Sequence, residues 1–352
     1  MLVLSLERED INSFFQSEER VLNWGVVPAR PDPRSQYLKE WVESGYHSDL
    51  QYMENNLSQR MDMTQKYPWA KSVLLFSFAY KHPVSTPRDS EYKVARYAQD
   101  SDYHYYCKDI LKRLEELFKK ENQQFFGFVD SHPIFERSLA LEAGLGWSGK
   151  NCCTIHPDYG SSFLLAGALI DVDLVEQNKP QGGNHLPDYC GSCTRCIEAC
   201  PTDAFIQPGS LDANKCISYW TIENKTSIPK AVSQELKGWV FGCDICQDVC
   251  PWNIKSAKRR KEPPLKTEFD KTALEWLTLL RKGGGFQSAF KHSSLTRAGR
   301  KRMLRNVAIV IGNKKDRECL SLLKEIKAEE EDEFVLQELE TTLLKLEQGK
   351  EE

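Results

Sequence analysis

The first half of the chain alternates short apolar runs with one long amphipathic segment. YYCKDILKRLEELFKK (105–120) has apolar residues at helical spacing with charged residues between them, which predicts a helix. Four further runs are apolar and favour strands: SVLLFSFAY (72–80), QFFGFV (124–129), CCTIH (152–156) and SFLLAGALI (162–170). Residues 1–178 therefore predict a mixed α/β domain.

The pattern changes twice further along the chain. VEQNKPQGGNHLP (175–187) is polar and rich in glycine and proline, which predicts a linker, and KEPP (261–264) marks a second boundary. Beyond it, LRNVAIVIGN (304–313) and EFVLQELETTLLKLEQ (333–348) predict a helical pair that resembles a single HEAT-type unit. The sequence thus predicts an α+β fold class. The three expected domains span residues 1–178, 179–256 and 257–352.

Composition adds an expectation about the compartment. The chain has 352 residues, 40% hydrophobic and 28% charged, as expected for a globular protein of two or three domains. The start, MLVLSLERED, lacks the features of a secretory signal, and no apolar run reaches the ~18 residues of a transmembrane helix. We therefore expect a cytoplasmic protein without a membrane partner. Because thiols stay reduced there, the 12 cysteines favour metal or redox chemistry over disulfides.

Eight of these cysteines form a pattern. Four of them, between 190 and 200, have the spacing C-x2-C-x2-C-x3-C-P of a bacterial ferredoxin, in which the fourth thiolate binds a second [4Fe–4S] cluster. A second run follows, but its first position is Val240, and Cys216 is the available substitute. The prediction is two [4Fe–4S] clusters, one bound by Cys190, Cys193, Cys196 and Cys250, the other by Cys200, Cys216, Cys243 and Cys246.

The cysteines also allow other interpretations. Structural zinc is the alternative for the eight, although its ligands usually form two separated C-x2-C pairs. The other four lie in apolar or helical contexts and are expected to be small buried hydrophobic residues. They are Cys107, Cys152, Cys153 and Cys319.

Gly144, Gly146 and Gly149 spell G-x-G-x-x-G, but their context does not suit a dinucleotide site. That site needs a strand before the glycines and a helix after them, whereas here a helix-like segment precedes and a strand-like segment follows. The glycines instead predict a tight turn with a close backbone approach, to a ligand or to the next domain.

A basic segment near the C-terminus predicts contact with nucleic acid. KHSSLTRAGRKRMLR (291–305) contains no acidic residue, as expected for a surface that binds phosphates. Its cations are Lys291, Arg297, Arg300, Lys301, Arg302 and Arg305. A second basic cluster is KSAKRRK (255–261). The alternative is a solvated helix face that pairs with the acidic EEEDE (329–333).

Several segments together resemble the epoxyqueuosine reductase family. They include YMENNLSQR (52–60), VARYAQDSDYH (94–104), VDSHPIFERSLALEAGLGWSGKN (129–151), DANKCISYWTIE (212–223) and GWVFGCDICQDVCPWN (238–253). The resemblance implies reduction of epoxyqueuosine to queuosine at the wobble position of tRNA. It further implies two [4Fe–4S] clusters, cobalamin with its dimethylbenzimidazole detached, and a nitroreductase-like α/β domain. The implied partners are the tRNA anticodon stem-loop and an electron donor such as a flavodoxin or ferredoxin, with the enzyme acting as a monomer.

The resemblance also assigns roles to individual residues. Asp130 matches the family's proton donor, whereas taken alone it reads as an N-cap of a helix beginning near Pro133. The implied cobalamin contacts are Arg60, Tyr97, Asp130, Arg137, Lys150, Asn151, His156, Ser161, Ser218 and Asp244. The chain departs from the family at Ala168, where an acidic residue is expected. The rival interpretations are a reductive dehalogenase-like enzyme acting on a small molecule and an electron carrier without a substrate of its own.

Overall fold

The computed structural model describes residues 8–80, 90–175, 187–260 and 268–348, and its central feature is a four-stranded antiparallel sheet. In chain order the strands are β1 (Val21–Pro28), β2 (Ser72–Ala79), β3 (Lys93–Val94), β4 (Phe125–Phe128), β5 (Trp147–Ser148), β6 (Thr154–Ile155), β7 (Phe163–Ile170), β8 (Phe205–Gln207), β9 (Ser210–Leu211) and β10 (Trp239–Phe241). The sheet has the order β1-β2-β7-β4. Three of the predicted strands, in β2, β4 and β7, are confirmed; CCTIH is confirmed only as the two-residue β6, and β1 was not predicted.

Helices cover both faces of this sheet. In chain order the helices are α1 (Arg8–Gln16), α2 (Ser35–Glu43), α3 (Gln51–Asn55), α4 (Leu57–Met61), α5 (Tyr103–Lys120), α6 (Glu136–Glu142), α7 (Arg195–Glu198), α8 (Ile217–Ile222), α9 (Lys230–Ser233), α10 (Ile245–Asp248), α11 (Pro251–Arg260), α12 (Ala273–Leu280), α13 (Phe286–Ala289), α14 (Gly299–Lys314), α15 (Leu320–Glu329) and α16 (Glu333–Gln348). On one face α1 and α5 pack against Leu74, Phe76 and Phe78; on the other, α6 packs against Val73 and Leu75. β2 reads as a continuous apolar run because both of its faces are covered.

Ala168 lies in β7, an inner strand of this sheet. It is fully buried in β7, in the core that α5 covers. An acidic side chain at this position would be placed in an apolar core, so the departure from the family pattern suits the local packing.

The glycine turn connects α6 to the hairpin of β5 and β6. A Cβ on Gly146 would lie 2.5 Å from the carbonyl oxygen of Ile155, so only glycine allows this approach. The order helix, turn, strand excludes a dinucleotide fingerprint, as the sequence predicted. The close approach is to the chain's own β6, not to a ligand.

The cysteine-rich segment and the C-terminal helices share one hydrophobic core. Trp239 and Phe241 of β10 pack in the same cluster as Trp276 of α12 and Val307 of α14. β10 also pairs in parallel with β3, which joins the cluster to the first half of the chain. The linker expected at 175–187 lies almost entirely outside the described residues, and the boundary expected at 261–264 lies wholly outside them. In the part of the chain that the structure describes, no helix is long and apolar enough to cross a lipid bilayer.

Candidate active site

Asp130 lies just beyond the end of β4, in a sharp turn. Its φ of +33° is a left-handed conformation, uncommon for a non-glycine residue, and the N–H of Ser131 donates to the carbonyl of Val129 to close the turn. The next helix, α6, begins six residues later, with Phe135 as its N-cap residue and no side-chain cap. The alternative that Asp130 caps this helix is therefore wrong.

Three side chains contact the Asp130 carboxyl group. The Tyr103 hydroxyl donates to Oδ2, His104 Nε2 lies 2.9 Å from Oδ1, and Arg297 Nη1 lies 3.7 Å from Oδ2. Tyr103 and His104 form the first turn of α5, whose N-cap is Asp102. His104 Nδ1 lies 2.8 Å from Asp102 Oδ1, and Arg297 donates to Asp102 (3.1 Å) and to the Tyr103 hydroxyl (3.1 Å). Residues far apart in sequence thus converge on one carboxyl group.

The surroundings shift the pKa values of Asp130 and Asp102 in opposite directions. Burial raises the pKa of Asp130, the positive charge of Arg297 opposes this, and the negative charges of Asp102 and Glu223 reinforce it. For Asp102 burial acts upward, but hydrogen bonds from His104 and the charge of Arg297 lower its pKa to about 2. Asp102 is therefore ionised, while Asp130 holds a proton more readily than a free aspartate does. This is the arrangement that a general acid needs.

Glu136 and Arg60 lie beside Asp130 with unused polar atoms. Burial and the Asp130 charge raise the pKa of Glu136 to about 8, against the Asp130 N–H that donates to its carboxylate. Glu136 Oε1 and Arg60 Nε are both buried and have no hydrogen-bond partner among the described residues. Arg60 also donates to the carbonyl of Ile134 (3.4 Å) and lies over the Tyr52 ring (5.7 Å). Buried polar atoms without partners are expected where a ligand completes the site.

Partly accessible side chains lie between this carboxyl group and the cysteines, and we call the space beside them the recess. They are Tyr80, Tyr97, Cys153 and Cys246. Burial raises the pKa of each hydroxyl or thiol, for Cys153 to about 12. The ring of Tyr97 lies 6.3 Å from that of Tyr103, and the N–H of its neighbour Arg96 donates to Asp244 (2.8 Å), next to Cys243.

Four cysteines line one cavity of about 310 Å³: Cys190, Cys193, Cys196 and Cys250. Cys250 comes from the second cysteine run, 50 residues after the end of the first, and closes the cavity from the start of α11. Its sulfur accepts hydrogen bonds from the N–H groups of Trp252 and Asn253, and Trp147 Nε1 donates to the sulfur of Cys190 (3.5 Å). Four thiols surrounded by N–H donors are a donor set that fits an iron–sulfur cluster.

The other four cysteines of the pattern also lie near each other. Burial raises the pKa of the Cys243 thiol, and the neighbouring Cys216 and Cys200 raise it further. Burial also raises the pKa of Cys246, with added effects of Cys153, Cys243 and Cys216. Backbone N–H groups of Tyr219 and Ser218 donate to Cys216 Sγ, and the N–H of Ala204 donates to Cys200 Sγ (3.4 Å). These four are again thiols with N–H donors around them, and one of them, Cys246, lies beside the recess.

The remaining cysteines divide into two kinds. Cys107 and Cys319 are fully buried, which confirms the expectation of inert hydrophobic residues. Cys152 and Cys153 are only partly buried and lie close to cysteines of both groups. For these two the expectation of simple core residues is wrong, because the glycine turn and the β5–β6 hairpin carry them to the wall between the two groups.

Four of the implied cobalamin contacts have other partners. The Lys150 ammonium donates to the carbonyls of Gly191 (2.6 Å) and Cys193 (3.1 Å), and Asn151 donates to Cys246 (3.4 Å). Ser161 is buried, and its hydroxyl donates to Gln247 (2.9 Å).

Asp244, also buried, accepts from the N–H of Arg96 (2.8 Å), next to Tyr97. Lys150, Asn151, Ser161 and Asp244 thus hold the cysteine loops and the Tyr97 turn. Their contact with cobalamin stays a prediction.

The other implied contacts stay near the recess or its rim. Arg137 is exposed and donates to the carbonyl of Cys152. Ser218 is partly exposed, next but one to Cys216. His156 accepts from the N–H of Asp158 (3.1 Å) and stacks on Tyr159, with ring centroids 4.6 Å apart, and burial lowers its pKa.

Several cations of the basic segment (291–305) have partners within the protein. Arg305 is fully buried in α14 and donates to the carbonyl of Trp220 (2.6 Å), to Asn224 and to Thr226. The prediction that Arg305 contacts RNA is therefore wrong, since its guanidinium is enclosed by protein.

Three further cations of the segment also have partners. Arg300 pairs with Glu330 and Lys301 with Asp332, both at 2.7 Å, as the alternative of pairing with the acidic stretch predicted. Arg302 donates to the carbonyls of Ile222 (2.7 Å) and Glu223 (3.0 Å). Lys291 and Lys301 remain exposed.

Sequence reasoning missed the residues around Asp130. Asp102, Tyr103, His104 and Glu136 were not singled out, and Arg297 was assigned to RNA alone. A signal was available for three of them: DYH stands at the start of a predicted helix, where polar side chains are exposed at the N-terminal end. Its relation to Asp130 depends on tertiary packing between α5 and the end of β4.

Comparison with known proteins identifies the relatives of this chain. Residues 60–131 match the family described as Epoxyqueuosine reductase QueG, DUF1730, and residues 189–253 match the family described as 4Fe-4S double cluster binding domain. The chain is 41% identical over 278 residues to an epoxyqueuosine reductase of Cyclobacterium marinum, covering 78% of this chain and 86% of that protein.

Solved structures agree with these relatives. The structure of epoxyqueuosine reductase from Streptococcus thermophilus superposes with a TM-score of 0.79 at 26% identity, covering 97% of this chain and 89% of that one. A crystal structure of an epoxyqueuosine reductase with an epoxyqueuosine-modified tRNA-Tyr stem loop gives a TM-score of 0.74 at 25% identity, covering 96% and 98%.

Proposed function

Since the chain belongs to the epoxyqueuosine reductase family, we propose that it reduces epoxyqueuosine to queuosine at the wobble position of tRNA. The observation that supports this most directly is the meeting of Asp130 with a recess whose far side carries cysteines. A proton donor and a redox centre on either side of one space suit a reduction that expels oxygen as water. We place this activity in the cytoplasm, with the enzyme acting as a monomer.

The cysteines hold two [4Fe–4S] clusters in this proposal. Cys190, Cys193, Cys196 and Cys250 hold the outer cluster, and Cys200, Cys216, Cys243 and Cys246 hold the cluster beside the recess. The match to a 4Fe-4S double cluster binding domain over residues 189–253 and the two groups of four thiols support this pairing.

Cobalamin occupies the recess in this proposal, and the sheet with its helices is the nitroreductase-like domain that binds it. The donor set fits a large polar ligand: aromatic walls at Tyr80 and Tyr97, the rim residues Arg137 and Ser218, and unpartnered polar atoms on Arg60 and Glu136. When bound and reduced, cobalamin supplies a cobalt centre able to open the epoxide. The chain's own residues orient the substrate beside it and exclude bulk water.

Asp130 is the proton donor to the departing oxygen. Its carboxyl group holds its proton more readily than a free aspartate does, and Tyr103 fixes Oδ2 by donating to it. The left-handed turn at Asp130 presents the carboxyl group at the end of β4, toward the space in front of the sheet. Protonation of the oxygen as the carbon–oxygen bond breaks avoids a free alkoxide.

The tRNA lies along the C-terminal basic segment in this proposal. Lys291 and Lys301 are its exposed cations, and Arg297 lies between this segment and Asp130. Chemistry on a wobble base requires the nucleotide to leave its stack and enter a pocket, and phosphate contacts hold the loop in register meanwhile. The related structure with a bound stem loop supports this partner class.

A basic groove provides the docking site for the electron donor. It has a volume of about 400 Å³ and contains four cations: Arg195, Lys255, Lys258 and Arg259. Lys255 and Pro251 also line the cavity of the outer four cysteines, so the groove adjoins the point where electrons enter. A small acidic protein such as a flavodoxin or ferredoxin complements this charge.

Reconstitution tests the proposed activity. The purified chain is loaded anaerobically with iron, sulfide and cobalamin, then given epoxyqueuosine-containing stem loop and dithionite, and queuosine is measured by nucleoside mass spectrometry. Asp130→Asn is expected to keep iron, sulfide and cobalamin content but to lower turnover by about 10²-fold or more.

The matched control is Asp109→Asn, on the exposed side of α5 in an ion pair with Arg113 (3.0 Å), which is expected to behave as the unmodified chain. No queuosine from the fully loaded unmodified chain would refute the proposed function. Normal turnover by Asp130→Asn would refute only the role of Asp130.

A further inference from the structure

We propose that His104 delivers the second proton of the reaction by recharging Asp130, so that Asp102, His104 and Asp130 form a proton relay. The inference rests on the proposed function and adds to it the residue that acts behind the proton donor. His104 does not contact the substrate in this scheme; it acts through the Asp130 carboxyl group.

The stoichiometry of the reaction requires a second proton at Asp130. Converting an epoxide to an alkene breaks both carbon–oxygen bonds, forms the carbon–carbon double bond and consumes two electrons and two protons, with the oxygen leaving as water. The electrons come from the external reductant. One carboxyl group holds one proton, so Asp130 must regain a proton between the first bond cleavage and the release of water.

The geometry places one imidazole between two carboxyl groups. His104 Nε2 lies 2.9 Å from Asp130 Oδ1, and Nδ1 lies 2.8 Å from Asp102 Oδ1, both within hydrogen-bond distance. With a proton on Asp130 or on Nε2, one proton lies between His104 and Asp130. Arg297 Nη2 lies 2.5 Å from His104 Nδ1 and 3.1 Å from Asp102 Oδ1, so when the ring is doubly protonated Arg297 donates to Asp102 and not to the ring. Asp102 is ionised and able to accept from the Nδ1–H of a doubly protonated ring.

Both protons reach the oxygen through Asp130. Asp130 gives its proton to the oxygen as the first carbon–oxygen bond breaks, which leaves the Asp130 carboxylate and a hydroxyl group on the substrate. The doubly protonated His104 then passes its Nε2 proton to Asp130 Oδ1 and keeps the Nδ1 proton, which Asp102 accepts as a hydrogen bond. Asp130 gives this second proton to the hydroxyl as it leaves as water. Both residues regain protons from solvent, to which the His104 side chain is 18% and the Asp130 side chain 42% exposed.

A purely structural role explains less of the arrangement. Asp130 Oδ2 already accepts from Tyr103, and the turn is closed by its own backbone, so the carboxyl group is oriented without His104. Asp102 caps α5 through the N–H of His104 and does not need the imidazole for this. The ring adds a nitrogen facing each carboxyl group, and neither the turn nor the cap needs this bridge.

Single-turnover kinetics of the loaded enzyme test the relay. His104→Gln keeps the hydrogen-bonding length of the side chain but cannot carry a proton. It is expected to keep its affinity for the stem loop and lower the single-turnover rate by about 10²-fold. His104→Ala with added imidazole is expected to recover rate as the imidazole concentration rises. The matched control is His292→Gln, an exposed ring in edge-to-face contact with Tyr105 with centroids 5.6 Å apart, which is expected to react at the unmodified rate with saturating stem loop.

The pH dependence separates proton supply from positioning. The charged and titratable groups that face this pair are Asp102, Tyr103, Arg297, Glu223 and Glu136. All of them remain in His104→Gln, so a positioning role predicts a lower rate with an unchanged pH profile. The relay predicts that the variant's rate falls more steeply with rising pH, because protons then reach Asp130 from water alone.

Three results would overturn the relay while leaving the proposed function in place. They are an unmodified rate in His104→Gln, a slow His104→Ala that imidazole does not rescue, and a pH profile parallel to that of the unmodified chain. A measurement without turnover decides the case in which no queuosine forms at all. Nitrogen-15 resonances of His104 in the loaded, oxidised chain are expected to titrate differently in Asp130→Asn, as for two groups that share a proton. An identical titration would overturn the relay independently of activity.

Discussion

At the scale of single residues, the candidate site depends on three neighbouring carboxyl groups that hold their protons differently. The pKa of Asp102 is held at about 2 by hydrogen bonds from His104 and by Arg297, against the effect of its burial. Burial raises the pKa of Asp130, and it raises that of Glu136 to about 8. Desolvation acts upward on all three, and only at Asp102 do hydrogen bonds and the charge of Arg297 outweigh it.

Glu136 gives a prediction about stability. Its pKa is higher in the folded chain than in the unfolded chain, so its contribution to stability is complete below pH 4.5 and is lost as the pH rises through about 8. Glu136→Gln cannot ionise and keeps an oxygen for the Asp130 N–H. We expect the variant to gain stability over the unmodified chain between pH 5 and pH 9, by on the order of 1–3 kcal/mol.

Thermal unfolding at both ends of this pH range measures the gain. The control is Glu142→Gln on the same helix, which removes a partly exposed ion pair with Arg30 (2.7 Å) and is expected to show little change of stability with pH. A difference between Glu136→Gln and the unmodified chain that stays constant with pH would show that Glu136 is not held neutral by its surroundings.

At the scale of helices and strands, the sequence predicted the elements that pack against the core along their whole length. β2, β7 and α5 appear as long runs with a clear apolar pattern because each packs over its whole length. β1 was missed because it lies at the edge of the sheet and carries Asn23 and Gly25 among residues that are mostly half-buried. The period-two pattern of an edge strand is weak because only one side contacts a neighbouring strand.

Arg305, inside α14, is a second case that the sequence pattern does not predict. The sequence placed it with surface cations because its neighbours Lys301 and Arg302 are charged. The structure buries it because α14 packs against α8, where the carbonyls of Trp220 and the chain near Asn224 need donors. A charged residue in a basic run is therefore not identified as buried until its acceptors, some 80 residues away, are known.

This burial predicts a large effect on folding. Arg305→Ala leaves the carbonyls of Trp220 and Thr226 without donors and opens a gap in the core. We expect a loss of about 3 kcal/mol in the free energy of unfolding, measured by urea denaturation. Lys291→Ala, at an exposed position, is expected to change stability by less than about 0.5 kcal/mol and to weaken stem-loop binding. Equal stability of the two variants would show that the Arg305 hydrogen bonds contribute nothing net.

At the scale of the whole molecule, the C-terminal region is tied to the first half of the chain at the site itself. Arg297 reaches Asp102 across 195 residues of sequence and also reaches Asp130, and Ser101 and Ser293 pair backbone to backbone. The hydrophobic core likewise joins residues 213–241 to the helices that follow. The grouping of the cysteines was predictable because most of their spacing is local, whereas the surroundings of Asp130 were not, because they are assembled from three distant segments.

The arrangement of charge over the whole surface gives the last prediction, which concerns the electron donor. If an acidic donor protein docks in the groove of Arg195, Lys255, Lys258 and Arg259, reversing charge there must slow electron entry and leave later steps intact. We expect Lys255→Glu with Lys258→Glu to lower the rate of queuosine formation driven by a reduced flavodoxin by about 10-fold at low salt, with the effect fading as salt rises. Turnover driven by reduced methyl viologen, a small cation that needs no docking surface, is expected to be unchanged.

The matched control is Lys39→Glu with Lys119→Glu, the same charge change at exposed positions in ion pairs with Glu43 and Glu115. Equal slowing by both double variants would reduce the effect to net charge alone, and weakened stem-loop binding with normal donor kinetics would assign the groove to RNA instead.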